Sequence, residues 1–189
     1  VGLGQVDIAL LILLTHAIAK SLLFMSTGSV ILTTSGQNVT ELGGLWSRMP
    51  ATGIAFAVGS ASLIALLPLG SFWTFQYWTN GRWEMPLWVL SVILFVNFFS
   101  AINLTRVFRL VFWGSPQPKT RRAPEVPWPM AVPMVATTVL VLLSPLIPLR
   151  WNLWLSSTTP LVHGEPLVIQ WALPLIILSG LAGVLIGLS

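Results

Sequence analysis

His16 and Lys20 are the residues of this chain whose types and spacing could move a proton. They lie four residues apart in an apolar run from Val6 to Leu32, and at that spacing two side chains of one helix meet on the same face. A lysine at the centre of a bilayer costs about 2.5–3.5 kcal/mol on insertion scales, so it normally faces a bundle interior or a hydrated path. Histidine titrates near neutral pH, and a lysine in a protein interior can act as a base. The pair therefore indicates a proton relay, and the alternative is that both side chains only bond neighbouring helices.

The composition places these residues in an integral membrane protein. Of 189 residues, 55% are hydrophobic and only 7% are charged, whereas a soluble domain carries about 25% charge. The chain has no cysteine, which excludes a disulfide framework, a thiolate metal site and a thiol nucleophile. His163 lies in a polar stretch beside Glu165 without a second ligand in reach by sequence, so no metal site is predicted.

Five apolar segments predict an all-α bundle of about five transmembrane helices, forming one membrane domain over residues 1–189. The segments are 6–32, 53–78, 86–112, 129–149 and 167–188. The first would rise roughly 40 Å as a helix at 1.5 Å per residue, which is enough to cross a hydrocarbon core of about 30 Å.

The second segment is expected to be broken. It contains Pro68, which removes a backbone hydrogen bond, and Gly70, which permits an unwound geometry. We expect non-helical backbone around Pro68 to Ser71, with its freed carbonyls facing protein or water. Transporters often place ions and substrates at such breaks, although neighbouring helices can also simply absorb a proline kink.

Basic residues are concentrated in the first and third connections between these segments. Those two loops contain Arg48, Lys119, Arg121 and Arg122, against Arg82 and Arg150 in the second and fourth. By the positive-inside rule, the first and third loops face the cytoplasm or stroma. Arg106 and Arg109 share a face near that interface and are expected to be anchors or inter-subunit pairs. The basic stretch 117–122 of the third loop is short, which favours contact with lipid headgroups over nucleic-acid binding.

Four ordered motifs resemble those of a known family. Residues 14–24 with 28–31 resemble the signature T-H-A-x-x-K-A-L-L-F-x-x-x-G-S-V-I of the antiporter-like membrane subunits of complex I. Residues 43–45 with 49–52 resemble their G-G-L and M-P-x-T loop. Residues 106–114 resemble their F-R-x-x-F-x-G helix end, and residues 125–130 their E-x-P-W-x-M. The resemblance is closest to the distal subunit, the NuoL or NdhF type of the photosynthetic NAD(P)H-quinone oxidoreductase.

This resemblance implies a proton-translocating subunit of a quinone-reducing complex, without redox cofactors of its own. Its partners would be the other membrane subunits of that complex and the lipid bilayer. His16 and Lys20 would belong to the central polar axis of the family in the membrane plane. The region would correspond to the later half of the family's bundle, so we expect the chain to be a fragment of a longer subunit.

The chain departs from the family pattern at two places. Ile12 stands where the family usually has another histidine one turn before His16. Residues 71–77 read S-F-W-T-F-Q-Y where the family usually reads G-F-x-S-K-D-E. Phe75 therefore replaces the terminal lysine, and a phenyl ring cannot carry a proton. We expect a rerouted path, for which the nearest candidates by sequence are Ser71, Thr74 and Gln76.

Such an altered distal subunit is similar to the NdhF variant of cyanobacterial complexes specialised for carbon dioxide uptake. That similarity implies a thylakoid membrane, electrons from ferredoxin and an extra soluble subunit for carbon dioxide hydration. A standard respiratory subunit, fed by NAD(P)H, is the other form of this reading. A subunit of a multi-subunit cation/proton antiporter shares the same His/Lys helix, and a purely structural bundle is a third possibility.

Overall fold

The described part of the chain is built from helices. A computed structural model describes residues 6–36, 38–79, 87–149 and 167–189, and these residues contain no β-strand. The helices are α1 (Val6–Thr34), α2 (Pro50–Leu63), α3 (Gly70–Thr79), α4 (Leu87–Phe108), α5 (Trp128–Leu143), α6 (Leu146–Leu149) and α7 (Leu167–Leu188). Helix α4 continues into a π-helical turn, Arg109–Trp113, and the first loop contains two short 3₁₀ turns, Val39–Glu41 and Leu45–Ser47.

Two stretches are long and apolar enough to cross a membrane as single helices, Ile8–Thr34 and Leu87–Trp113. Only 28% and 22% of their most apolar windows are buried inside the bundle, so large apolar side chains such as Phe24 and Phe95 remain on the outside. A core helix of a soluble protein would bury them, whereas a lipid-facing helix exposes them. The expectation of an all-α membrane bundle is confirmed.

The remaining spans are interrupted more often than the sequence indicated. The second span is broken into α2 and α3 between Ile64 and Leu69. Pro68 lies in this break as expected, but Gly70 and Ser71 already belong to α3, so the predicted position was too late in the chain. The fourth span was expected to be continuous over 129–149. It is broken at Ser144 and Pro145, because proline lacks the N–H that a continuous ladder needs.

The first and third loops lie at the same end of the bundle. The hydroxyl of Thr120 donates to the Gly43 carbonyl at 2.7 Å, and Lys119 pairs with Glu41. The hydrogen bond from Lys119, together with its charge, holds the pKa of the Glu41 carboxyl below its usual range. These contacts confirm that the spans between the two loops run out and back across the bundle.

Glu125 of the third loop caps the N-terminus of α2. One carboxylate oxygen accepts from the Ala51 backbone N–H at 3.1 Å, and the other accepts from the Thr52 hydroxyl at 2.7 Å. Helix α2 starts at Pro50 without a cap from its preceding residue. A carboxylate at this position satisfies a free N–H and complements the helix dipole, so the E-x-P-W resemblance corresponds here to a structural cap.

Helices α4 and α7 form the most extensive helix–helix contact in the described part of the chain. A Cβ added to Gly183 of α7 would lie 2.5 Å from the Phe98 carbonyl oxygen and 2.7 Å from the Ala101 Cβ. Small residues allow such close approach between membrane helices. The pair is also joined by Asn97, whose amide nitrogen donates to the Ile176 carbonyl at 2.9 Å. Asn97 therefore bonds across helices, as polar side chains in membrane bundles commonly do.

The two arginines at the end of α4 differ in their surroundings. Arg109 donates from Nη1 to the Leu188 carbonyl of α7 at 2.5 Å, which is a contact within this chain. Arg106 is exposed, which leaves it available as the interfacial anchor that the sequence suggested.

Candidate proton-transfer site

Helix α1 is held against the break in the second span one residue before His16. Thr15 is buried, and its hydroxyl donates back to the Leu11 carbonyl at 2.9 Å. A Cβ added to Gly70 would lie 2.9 Å from the Thr15 Cγ2 atom. Gly70 is therefore required for the close approach of α1 to the start of α3, and this packing fixes the position of the His16 and Lys20 turns.

The first half of the break is a helix-ending motif with an unusual residue. Ala65 has a φ of 51°, and the N–H groups of Ala65 and Leu66 donate to the carbonyls of Ser62 and Ala61 at 3.4 and 3.1 Å. This is the hydrogen-bond pattern of a Schellman cap, in which glycine usually occupies the left-handed position. An alanine there costs roughly 1–2 kcal/mol, so the surrounding packing has to hold the break in place.

The second half of the break is satisfied by side chains from the bundle. The indole N–H of Trp73 donates to the Pro68 carbonyl at 3.1 Å. The backbone N–H of Gly70 donates to the hydroxyl of Ser144 at 2.9 Å. Ser144 stands at the break of the fourth span, so the two helix breaks meet and stabilise each other. Irregular backbone at membrane depth is tolerated where protein groups satisfy it in this way.

His16 and Lys20 line a cavity beside this junction. Its volume is about 380 Å³, and it lies between α1, the end of α2, α3 and α4. The side chains that line it are His16, Lys20, Leu63, Phe75, Val92, Ile93, Val96, Asn97 and Ser100. His16 is partly buried. Its Nδ1 atom is buried and has no hydrogen-bond partner in the described part of the chain. Lys20 is exposed and lines the cavity from α1. The structure thus brings the two predicted carriers together.

Phe75 forms part of the wall of the same cavity. The position at which the sequence pattern led us to expect a lysine therefore does face Lys20 across this space. A lysine here would be a second cation beside Lys20, and the phenyl ring instead makes this side of the cavity apolar.

The proposed alternative carriers occupy different surroundings. Ser71 and Thr74 are both 1% exposed and are not among the residues that line the cavity. The Thr74 hydroxyl donates to the Gly70 carbonyl at 2.8 Å, and the Ser71 hydroxyl is buried without a hydrogen-bond partner in the part of the chain that is described. Gln76 is partly buried. A path through these three residues stays a prediction.

Asn97 and Ser100 are cavity residues that the sequence reasoning did not assign to the site. The available signal was the depth of Asn97, since an amide near the middle of an apolar span is as conspicuous as Lys20. Within the described ranges no group of three His, Cys, Asp or Glu side chains could hold a metal ion, and His163 lies outside those ranges.

Comparison with known proteins places the chain in a family. Residues 1–100 match the model of the transmembrane family described as NADH:quinone oxidoreductase/Mrp antiporter. The chain belongs to this family. The resemblance drawn from the His16 and Lys20 motif is therefore confirmed for the antiporter-like membrane subunits.

Three relatives are subunits of one type of complex. The chain is 53% identical over 145 residues to NAD(P)H-quinone oxidoreductase subunit 5, organellar chromatophore 2, of Paulinella chromatophora, which covers 77% of this chain and 24% of that protein. It is 36% identical over 127 residues to the chloroplastic subunit 5 of Populus alba and 33% identical over 122 residues to that of Physcomitrium patens. These two matches cover 60% of this chain and 16% and 17% of the relatives. The chain spans a quarter or less of the length of these relatives.

Ser144→Ala tests whether the two helix breaks depend on each other. The substitution leaves the buried Gly70 N–H without its acceptor, so we expect a loss of about 1–3 kcal/mol in the free energy of unfolding. The measurement is the thermal unfolding of the subunit within its purified complex. Ser21→Ala is the matched control, because the Ser21 hydroxyl is exposed and bonds only within its own helix. Equal stability of the two variants would contradict the coupling.

Proposed function

We propose that this chain is part of a proton-translocating membrane subunit of a complex I-type NAD(P)H-quinone oxidoreductase. In this role it couples electron transfer to plastoquinone, catalysed by other subunits, to proton movement across the membrane. The observation that carries the proposal is the cavity in the membrane interior that His16 and Lys20 both line. An intramembrane ionisable residue beside a cavity is expected to mark an ion pathway. The subunit 5 relatives support the assembly with other membrane subunits.

The chemistry assigned to the pair is reversible proton transfer. Lys20 alternates between ammonium and amine, and His16, one turn away, exchanges protons with it through its ring nitrogens. A cation in an apolar bundle is costly, so its charge state is sensitive to any change of charge or hydration that the rest of the complex produces.

Two other functions are less well supported. A multi-subunit cation/proton antiporter would use the same helix, but the relatives described above are oxidoreductase subunits. A purely structural bundle would give Lys20 a fixed acceptor from a neighbouring helix. Instead Lys20 lines a space of about 380 Å³, which favours transport over helix bonding.

Lys20→Met is expected to reduce proton translocation to less than a tenth of the wild-type rate, because methionine cannot carry a proton. Lys20→Arg is expected to impair it as well, since arginine stays charged throughout. The measurement is proton uptake by proteoliposomes that contain the purified complex, with the quinone reduction rate recorded on the same sample. Lys119→Met is the control, because Lys119 lies in an exposed loop. Wild-type pumping in Lys20→Met would refute the assignment.

A finer proposal concerns the kind of complex. We propose that it is the carbon-dioxide-uptake form, which takes electrons from ferredoxin and works with a soluble subunit for carbon dioxide hydration in a thylakoid membrane. It is supported by Phe75, which lines the cavity where the family pattern has a lysine. The next two residues, Gln76 and Tyr77, replace the acidic pair of that pattern. An altered wall fits a complex in which water and protons leave by a different route.

Deletion of the gene separates this form from a respiratory one. We expect the deletion to lower carbon dioxide uptake by cells several-fold, while quinone reduction by NAD(P)H in isolated membranes stays within twofold of wild type. The purified complex should reduce quinone with reduced ferredoxin as the donor. The opposite pattern, with intact carbon dioxide uptake and lost NAD(P)H-dependent quinone reduction, would contradict it.

A further inference from the structure

We propose that the proton path from Lys20 crosses the cavity to α4. Ser100 relays the proton there, and Asn97 positions the ammonium or water molecule that delivers it. This inference deepens the proposed function and rests on it. It assigns to α4 the role that Phe75 of α3 cannot perform.

The polar groups around the cavity are unevenly distributed. Four of its nine lining residues are polar or charged, and they form two pairs. His16 and Lys20 are on α1, while Asn97 and Ser100 are on α4 at the i,i+3 spacing that places side chains on one helix face. Among the described lining residues, α3 contributes only the phenyl ring of Phe75. The polar groups of this lining that lie opposite Lys20 therefore belong to α4.

The side-chain amide of Asn97 has a fixed orientation. Asn97 is buried, and its Nδ2 atom donates to the Ile176 carbonyl at 2.9 Å and to the Ser179 hydroxyl at 3.1 Å. These two bonds use both amide hydrogens, so the group left to act on the cavity is the amide oxygen, an acceptor. An ammonium or a water molecule is the complementary donor.

Lys20 and Asn97 can also be compared by their depth in the membrane. Lys20 is the thirteenth residue of the 27-residue span Ile8–Thr34, and Asn97 is the eleventh of the 27-residue span Leu87–Trp113. Helices α1 and α4 run in the same direction, because both lead into the loops that are joined by Thr120 and Gly43. Lys20 and Asn97 therefore lie at similar depth, and the path between them is lateral.

Every group in the relay returns to its starting protonation state. A proton leaves the Lys20 ammonium for a water molecule, and that water passes a proton to the Ser100 oxygen. Ser100 releases its own hydroxyl hydrogen to the next water, and Lys20 is reprotonated from the His16 side. At roughly 30 Å³ per water, a cavity of about 380 Å³ has room for such a chain.

The test is proton pumping per electron in proteoliposomes that contain the whole complex. Ser100→Ala is expected to lower it at least fivefold, whereas Ser100→Thr, which keeps the hydroxyl, should stay within twofold of wild type. Ser91→Ala is the matched control, since Ser91 is exposed on the same helix and bonds only to Leu87. Wild-type pumping in Ser100→Ala, or equal losses in Ser100→Ala and Ser100→Thr, would overturn the relay.

Asn97 is tested separately because it also joins α4 to α7. Asn97→Leu removes the amide oxygen and both bonds to α7, and Ser179→Ala removes one of those bonds and leaves the oxygen. We expect at least a fivefold loss of pumping in the first variant and less than twofold in the second. Similar losses in both, or no loss in Asn97→Leu, would overturn the positioning role.

The double variant Ser71→Ala, Thr74→Val distinguishes the competing path along α3. Pumping within twofold of wild type supports the α4 path, whereas a loss there together with unchanged pumping in Ser100→Ala would overturn it. Whatever the route, Lys20→Met still reports on the proposed function. Pumping that depends on Lys20 but not on Ser100 or Asn97 leaves that function standing and removes only the route.

Discussion

The structure depends on the cost of placing a cation in the middle of an apolar helix. Lys20 lies near the centre of a predominantly apolar span, and an uncompensated charge there would oppose insertion by a few kcal/mol. In the bundle Lys20 lines a cavity that is shared by polar groups of α1 and α4, and polar surroundings of this kind lower that cost.

The cavity exists because one span of the bundle does not continue as a helix. The break between Ile64 and Leu69 separates α2, whose last residue Leu63 lines the cavity, from α3, which contributes Phe75 to the wall. Such a break exposes backbone groups that lipid cannot satisfy. Ser144 supplies the acceptor for Gly70 from the break of another span, and Trp73 supplies the donor for Pro68. The two interruptions are one structural unit, packed directly against Thr15, so the rigidity of the site comes from the junction next to it.

Some of this arrangement can be predicted from the sequence and some cannot. A Lys and a His one turn apart in a long apolar run are visible without coordinates, and so is Pro68 as a cause of a break. The exact end of α2 is not visible, because the left-handed residue is Ala65, and only the packing around it favours that conformation over helix. The break at Ser144 is hidden because its hydroxyl acts on another span. Asn97 can be recognised as a polar residue at mid-depth, but its place beside Lys20 depends on how α4 and α7 pack through Gly183.

The central claim is that water reaches the membrane interior at Lys20, and cysteine reactivity measures this most directly. The 189 residues contain no cysteine, so a single one can be placed at either of two exposed positions. Val96 is 57% exposed and lines the cavity, whereas Phe24 is 76% exposed and is not among the residues that line it. Only a thiolate reacts, and a thiolate forms where water is present. With a charged methanethiosulfonate reagent applied to membranes, Val96→Cys should be modified at least tenfold faster than Phe24→Cys, as read from the mass of this subunit. Equal rates, or faster modification of Phe24→Cys, would contradict the account.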